Sequence, residues 1–203
     1  MGVPALILGK SSSGKTYSIK GFSPDEVGIF SVEKGRLPFK GDYKVKPRAT
    51  YRDIGSIFKD PKLKRYVVDD SQYLLVNEMF DRAKEVGYQK YTDMAVNFRN
   101  LIHDVNHKLP DDVVVYFLHH TETDPNTGEV KAKTVGKMID QYLTLEGCFD
   151  IVLLCKTTNE GHYFETQSDG MSTAKTPEGM FADRLIPNNL KLVDDAIREY
   201  WGL

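Results

Sequence analysis

Apolar residues along the chain fall in short runs that alternate with stretches of helical spacing. Residues 3–8, 27–32, 65–68, 113–118, 149–155 and 161–166 have the length and side-chain content of strands. The run 113–118 is the most strand-like of these and is continuous enough to be buried on both faces at the centre of a sheet. Leu75, Val76, Met79, Phe80 and Ala83 mark one helix; Met94, Phe98, Leu101, Ile102, Val105 and Leu109 mark a second. A third helix is expected from about residue 134 to 146 (Val135, Met138, Ile139, Tyr142, Leu143), stopped by Gly147. A fourth follows Pro187 and Asn189, with Leu192, Val193, Ala196, Ile197, Tyr200 and Trp201 as its apolar residues. Segment 34–64, broken by Pro38, Pro47 and Pro61, predicts irregular structure with a strand at 43–46 and a short helix over 51–58. No internal repeat, low-complexity tract or linker interrupts residues 1–203, which predicts one domain.

The first strand runs into Gly9-Lys10-Ser11-Ser12-Ser13-Gly14-Lys15-Thr16, a full match to the phosphate-binding loop GxxxxGK[ST]. A polyphosphate needs many donors at short range, and the two glycines let the backbone curl so that successive N–H groups point inward. Lys15 then reaches the outer phosphates, and the Thr16 hydroxyl is placed to hold Mg²⁺. Residues 17–20 start a helix whose N-terminus adds its dipole to the anion site, with Gly21 as its stop. The pattern arises by accident in roughly one chain in a hundred of this length, and a preceding strand makes accident rarer still.

Composition narrows the picture without redirecting it. Apolar and charged fractions of 40% and 28% are ordinary for a soluble globular protein, and no apolar run approaches the roughly 20 residues of a membrane span. There is no basic region followed by a long apolar one, as a signal peptide would need, and Leu6 stands where a myristoylation signal has Ser or Thr. Cys148 and Cys155 lack metal-ligand spacing and read as core thiols of a reducing cytoplasm. His103 and His107, one helical turn apart, read as a solvated helix face more readily than as half a metal site. Between Lys34 and Arg65, eleven Lys and Arg stand against three Asp, a net of about +8, which leaves about −10 for the rest of a chain whose total is −2. Such a run is either a solvated face or the footprint of a polyanionic partner.

Residues 27–32 end at Glu33. A carboxylate at the carboxyl end of a strand beside a phosphate loop stands where open α/β sheets do their chemistry, so Glu33 is the candidate general base for activating water. Its plain alternative is a surface glutamate in a turn. Residues 65–68 run into Asp69-Asp70-Ser71, and an apolar strand ending in Asp about fifty residues after a phosphate loop is the pattern of an Mg²⁺-holding carboxylate. Asp69 is assigned to the metal and Asp70 to orienting water. The run 113–118 ends at His119-His120-Thr121-Glu122, where a polar side chain lies across the sheet from the loop and can sense the γ-phosphate. Tyr88, Lys90 and Tyr91 alternate aromatic and basic character as a single-strand-binding loop does, or form a hinge of packed tyrosines. Asp124-Pro125-Asn126-Thr127-Gly128 predicts a turn within a mobile hairpin.

Taken together, the phosphate loop, Glu33, Asp69 and the strand ending His119-His120 make the chain resemble the RecA-like ATPases. Within them it is similar to the small phage-encoded, core-only recombinases of the single-strand annealing type, often labelled AAA-family ATP-binding proteins. The resemblance covers nearly the whole chain and is carried most specifically by ILGKSSSGKT, VVVYFLHHTE and AKTPEGMF. It implies an α/β fold with a mainly parallel central sheet flanked by helices. It implies ATP and Mg²⁺ bound at an edge between subunits of a homo-oligomer, with Glu33 as catalytic glutamate. The γ-phosphate sensor falls on His120, where the family usually has Gln. Single-stranded DNA is the implied partner, contacted through residues 88–91 and the 122–133 loop with Lys131 and Lys133; a single-strand-binding protein is a further implied partner, and the host cytoplasm the implied location. Filament formers carry a polymerisation segment ahead of the loop; here only eight residues precede Gly9, so assembly is expected to use another contact. Efficient ATPases add a cation beyond the loop lysine and Mg²⁺. No Arg near the loop, Glu33, Asp69 or His120 in sequence offers itself, so Lys175 of AKTPEGMF is the candidate, acting from a neighbouring subunit, against a plain solvated lysine.

Other readings of a phosphate loop fit less well. A kinase needs an Arg-rich lid, and segment 122–133 has no Arg. A GTPase needs a DxxG after the Asp69 strand and an NKxD, and both are missing. A protein that binds ATP to order itself for annealing, with negligible hydrolysis, stays open.

Overall fold

The computed structural model describes residues 1–33, 35–136 and 143–203. Strands are numbered in chain order. Strand β1 (Val3–Gly9) is buried from its second residue onward and pairs in parallel with β5 (Val114–Thr123) on one side and β7 (Ile151–Thr158) on the other. Beyond β5 lie β4 (Arg65–Asp69), β2 (Gly28–Ser31) and β3 (Lys44–Pro47), all parallel. Beyond β7 the sheet turns antiparallel through β8 (Gly161–Glu165) and β9 (Leu185–Pro187), while β6 (Val130–Ala132) folds back on the far end of β5. The protein is α/β, with a mostly parallel central sheet flanked by helices.

Successive strand residues face opposite ways, so the near-continuous apolar runs feed two cores. Leu6, Leu8, Val68, Val115, Phe117, Val152 and Leu154 pack with α1 (Tyr51–Gly55), α2 (Gln72–Asp81) and α3 (Gln89–Lys108). Ala5, Ile7, Val67, Val114, Tyr116, Ile151 and Leu153 pack on the other face. There they meet Ile19 from the 3-10 helix Thr16–Gly21, and Leu190, Val193 and Ile197 from α4 (Leu190–Trp201). Asn189 caps α4 by accepting the Lys191 N–H at 2.9 Å. No helix among the described residues is long and apolar enough to cross a membrane.

Several expectations are adjusted. The helix after the phosphate loop is a short 3-10 helix, Thr16–Gly21, and Phe22 beyond Gly21 is already extended. Strand β5 does not stop at Leu118: His119 to Thr123 continue it, because Thr121, Glu122 and Thr123 pair with Ala132, Lys131 and Val130. Phe80 is 68% exposed, since five residues on from buried Leu75 lies about 140° round the helix. Leu192 is exposed too; the inner face of α4 is Leu190, Val193, Asp194 and Ile197. Of the helix expected over 134–146, residues 137–142 lie outside the described residues; 134–136, 143 and 144 are not helical, and the 3-10 turn Leu145–Cys148 overlaps its expected end.

A charge lies on that inner face. Asp194 is fully buried and accepts from Arg65 Nε at 2.6 Å, Arg198 Nε at 2.7 Å and the Tyr116 hydroxyl at 2.9 Å. Burial and the carboxylate together push the Tyr116 hydroxyl pKa well above its ordinary value. The knot ties α4 to the start of β4 and the middle of β5. Removing one member of a buried pair strands the rest, at a cost of about 3–5 kcal/mol. Asp194→Ala is therefore expected to lower unfolding free energy in urea by that amount; a loss under about 1 kcal/mol would mean that the two arginines reach water instead.

Candidate functional site

Parallel register decides what meets at the carboxyl edge of the sheet. Gly9 pairs with His120 across β1 and β5, and Ser31 pairs with Asp69 across β2 and β4. The phosphate loop, both aspartates and the histidine therefore emerge together. They line one cleft of about 380 Å³, which contains Ser11 to Tyr17, Asp69, Asp70 and His120, and also Arg36, Pro38 and His162.

The loop is curled as the sequence requires. Ser12 and Gly14 take left-handed backbone angles, φ 64° and 97°, and Ser13 N–H donates to Lys10 O at 3.2 Å. A Cβ on Gly9 would stand 2.3 Å from Ser13 Oγ and 2.9 Å from Cys155 Cβ, so only glycine lets the loop leave β1 over β7. Burial pushes the Cys155 thiol up to about 12, and both cysteines are free, as core thiols. Lys15 Nζ donates to Gly9 O at 2.7 Å and Lys10 O at 2.9 Å, which curls its ammonium back over the loop. The Thr16 hydroxyl donates to Asp69 Oδ1 at 2.9 Å. The two side chains assigned to Mg²⁺ from sequence, 53 positions apart, thus touch.

Asp70, next along the chain, has φ 59°, uncommon for any residue but glycine. That turn brings its largely buried carboxylate to His120 Nε2 at 3.1 Å, and the Tyr73 ring packs edge-on against the His120 ring. His119 faces the other way and is fully buried. Its Nε2 lies 2.8 Å from Lys133 O, which only accepts, so Nε2 carries the hydrogen and Nδ1 meets Ser71 Oγ at 2.9 Å. Lys133 N–H in turn donates to His120 O at 2.9 Å. The two histidines therefore divide their work: His120 faces the cleft, and His119 anchors the returning end of the β5–β6 hairpin.

Glu33 is exposed and is not part of the cleft lining. The loop after β2 instead contributes Arg36, three residues on. Arg36 stands only three residues from Glu33 in the sequence, so the expectation that no arginine lies near Glu33 is corrected. His162, on β8, is the other unforeseen member; its Nδ1 stands 3.1 Å from Thr157 Oγ1 across the β7–β8 hairpin. Neither carries a motif, because each reaches the cleft through strand order rather than through a spacing. Lys175 is exposed and pairs its backbone with Val152 of β7 in both directions, at 2.8 and 2.9 Å; it does not line the cleft of its own chain.

The residues assigned to DNA have unequal freedom. Tyr88 is 73% exposed at the start of α3, whereas Tyr91 packs against the core and Lys90 donates to Glu85 O at 2.9 Å. Lys131 faces Glu122 across the hairpin at 3.4 Å. Within the basic run, Lys46, Lys62, Lys64 and Arg65 are paired with Asp53, Asp60, Asp112 and Asp194. His103 and His107 stack on the exposed face of α3 at 3.7 Å. Among the described residues no cluster of three or more His, Cys, Asp or Glu could hold a metal. An Mg²⁺ site needs less from protein, since that ion keeps several waters and takes phosphate oxygens. Scanned against protein-family models and searched against curated proteins, the chain finds no match in either.

Burial holds the His119 pKa down to about 4, against an ordinary value near 6.5, so the folded protein keeps this ring neutral where the unfolded chain protonates it. The unfolded state then binds more protons, and stability falls as pH drops from 6.5 towards 4, by up to about 1.4 kcal/mol per pH unit. Urea unfolding at pH 6.5 and 5 is expected to show that loss, and His119→Gln to be less stable at pH 6.5 but flatter between the two. Equal slopes in both proteins would rule out His119 as the source.

Proposed function

We propose that the cleft binds ATP with Mg²⁺ and hydrolyses it to ADP and phosphate, as a RecA-like ATPase does. The observation that carries this reading is the 2.9 Å contact between Thr16 and Asp69 at the foot of a phosphate loop. The fit to a polyphosphate is otherwise that of the curled backbone with its left-handed Ser12 and Gly14, and of Lys15 buried beside them. Thr16 and Asp69 would hold Mg²⁺, which would supply positive charge beside the outer phosphates. Lys15 trades its two carbonyl partners for those oxygens. His120, at the end of β5 between the loop and the aspartates, reads the γ-phosphate.

Two carboxylates compete for the role of base. Glu33 has the family position but is exposed. Asp70 lies in the cleft lining, where its hydrogen bond to His120 holds it still. A second reading, ATP binding with negligible hydrolysis, draws its support from the exposure of Glu33.

The wider reading is a phage-type recombination protein acting in the host cytoplasm, a homo-oligomer that binds single-stranded DNA and works beside a single-strand-binding protein. Its support is the hairpin that begins directly after His120 and returns at Lys133, joined to the nucleotide side by His119. Of the aromatic pair, Tyr88 is the one with a face free to stack on a base.

Calorimetry with Mg²⁺–ATP, and ATPase rates with and without single-stranded DNA, test these statements together. Lys15→Ala is expected to abolish ATP binding, since it removes the charge from a site otherwise built of backbone donors; near-normal affinity in it would sink the site assignment. Removing the base is expected to cost about 10²–10⁴ in turnover while ATP still binds. Glu33→Gln and Asp70→Asn decide which carboxylate that is, and parent rates in both would leave the chain without either base.

A further inference from the structure

Among the described residues, Arg36 is the one unassigned cation in the cleft lining. The loop that carries it leaves β2 beside β4, where Val32 N–H donates to Asp69 O at 3.1 Å and Ser31 stands opposite Asp69. It therefore enters the cleft from the metal-carboxylate flank. His162 enters from the opposite flank, beyond β7. The phosphate loop lies between those flanks, and Arg36 shares one cleft lining with Asp69, Asp70 and His120. Its side chain is exposed and makes no hydrogen bond or ion pair among the described residues. The other cleft cation, Lys15, has carbonyl partners.

Charge makes the vacancy in the chemistry concrete. A bound ATP brings about four negative charges to a cleft that already holds two aspartates. Lys15 and Mg²⁺ supply about three positive ones between them, which leaves a deficit of about three. The deficit is felt most where hydrolysis moves charge, on the γ-phosphate and the bridging oxygen, and a planar guanidinium meets two phosphate oxygens with paired donors. We propose that Arg36 supplies, from the same chain, the cation that contacts the γ-phosphate, so that turnover does not wait on a residue of a neighbouring subunit. The proposal rests on the nucleotide reading of the cleft and fixes one thing that reading leaves open.

Arg36→Ala and Arg36→Lys, compared with the parent by calorimetry against Mg²⁺–ADP and Mg²⁺–ATPγS and by ATPase rate, test it. Arg36→Ala is expected to bind ADP within about twofold of the parent, to bind ATPγS about tenfold or more weakly, and to lose at least about a hundredfold in kcat. Arg36→Lys is expected to recover part of both losses. Mixing Arg36→Ala with Lys15→Ala subunits is expected to restore nothing, because each site needs its own arginine. Since the side chain is exposed, melting temperatures should be unchanged. An unaltered ratio of ADP to ATPγS affinity with parental turnover, equal weakening of both nucleotides, or recovery on mixing would each overturn the proposal. A parent protein that binds neither nucleotide would overturn the reading of the cleft, and Arg36's role with it; a parent that binds both leaves the arginine to stand or fall alone.

Discussion

Parallel pairing of β1 with β5 is the constraint from which the site follows. Seven successive pairs, from Val3 with Val114 to Gly9 with His120, fix the phosphate loop against the histidines through the backbone ladder. Because every strand from β3 to β7 except the short β6 runs the same way, their carboxyl ends share one edge. Polar groups placed there need not be buried in a core to be brought together. The two apolar faces do the holding, and the edge carries the candidate site.

Strand β4 shows this division along a single element. It opens with Arg65, locked to the buried Asp194 of α4, and closes with Asp69, which accepts from Thr16. One end sets the strand's position against a helix, and the other presents a carboxylate at the position so fixed. The loop after β2 depends on the same arrangement, since its path begins beside Asp69 and delivers Arg36 to the cleft. On the β7 side, Cys155 packs close to Gly9, and His162 of the β7–β8 hairpin joins the cleft lining.

What could be read from the sequence follows from how local each signal is. The phosphate loop is contiguous, and Asp69 is marked by the apolar strand that ends at it, so both are legible. The strands and α4 follow from runs and spacing. Phe80 and Leu192 were misjudged because counting apolar residues in a helix does not fix which of them share a face. Asp194 is silent in sequence, as a lone aspartate in an amphipathic pattern reads as a surface residue until Arg65 is seen 129 positions away. Arg36 and His162 belong to the same class. Their place in the cleft depends on which strands lie next to which, and no motif encodes that. Glu33 shows the converse, where position in a motif did not settle the direction of a side chain.

The central claim is that Lys15, Thr16 and Asp69 form a site for Mg²⁺ and the outer phosphates of a nucleotide. A crystal structure with Mg²⁺ and a non-hydrolysable ATP analogue tests it most directly. The account predicts Lys15 Nζ on β- and γ-phosphate oxygens instead of Gly9 O and Lys10 O, and Mg²⁺ bound to Thr16 Oγ1 with Asp69 beside it. An analogue bound elsewhere, or seated in the cleft while Lys15 keeps both carbonyls, would contradict it.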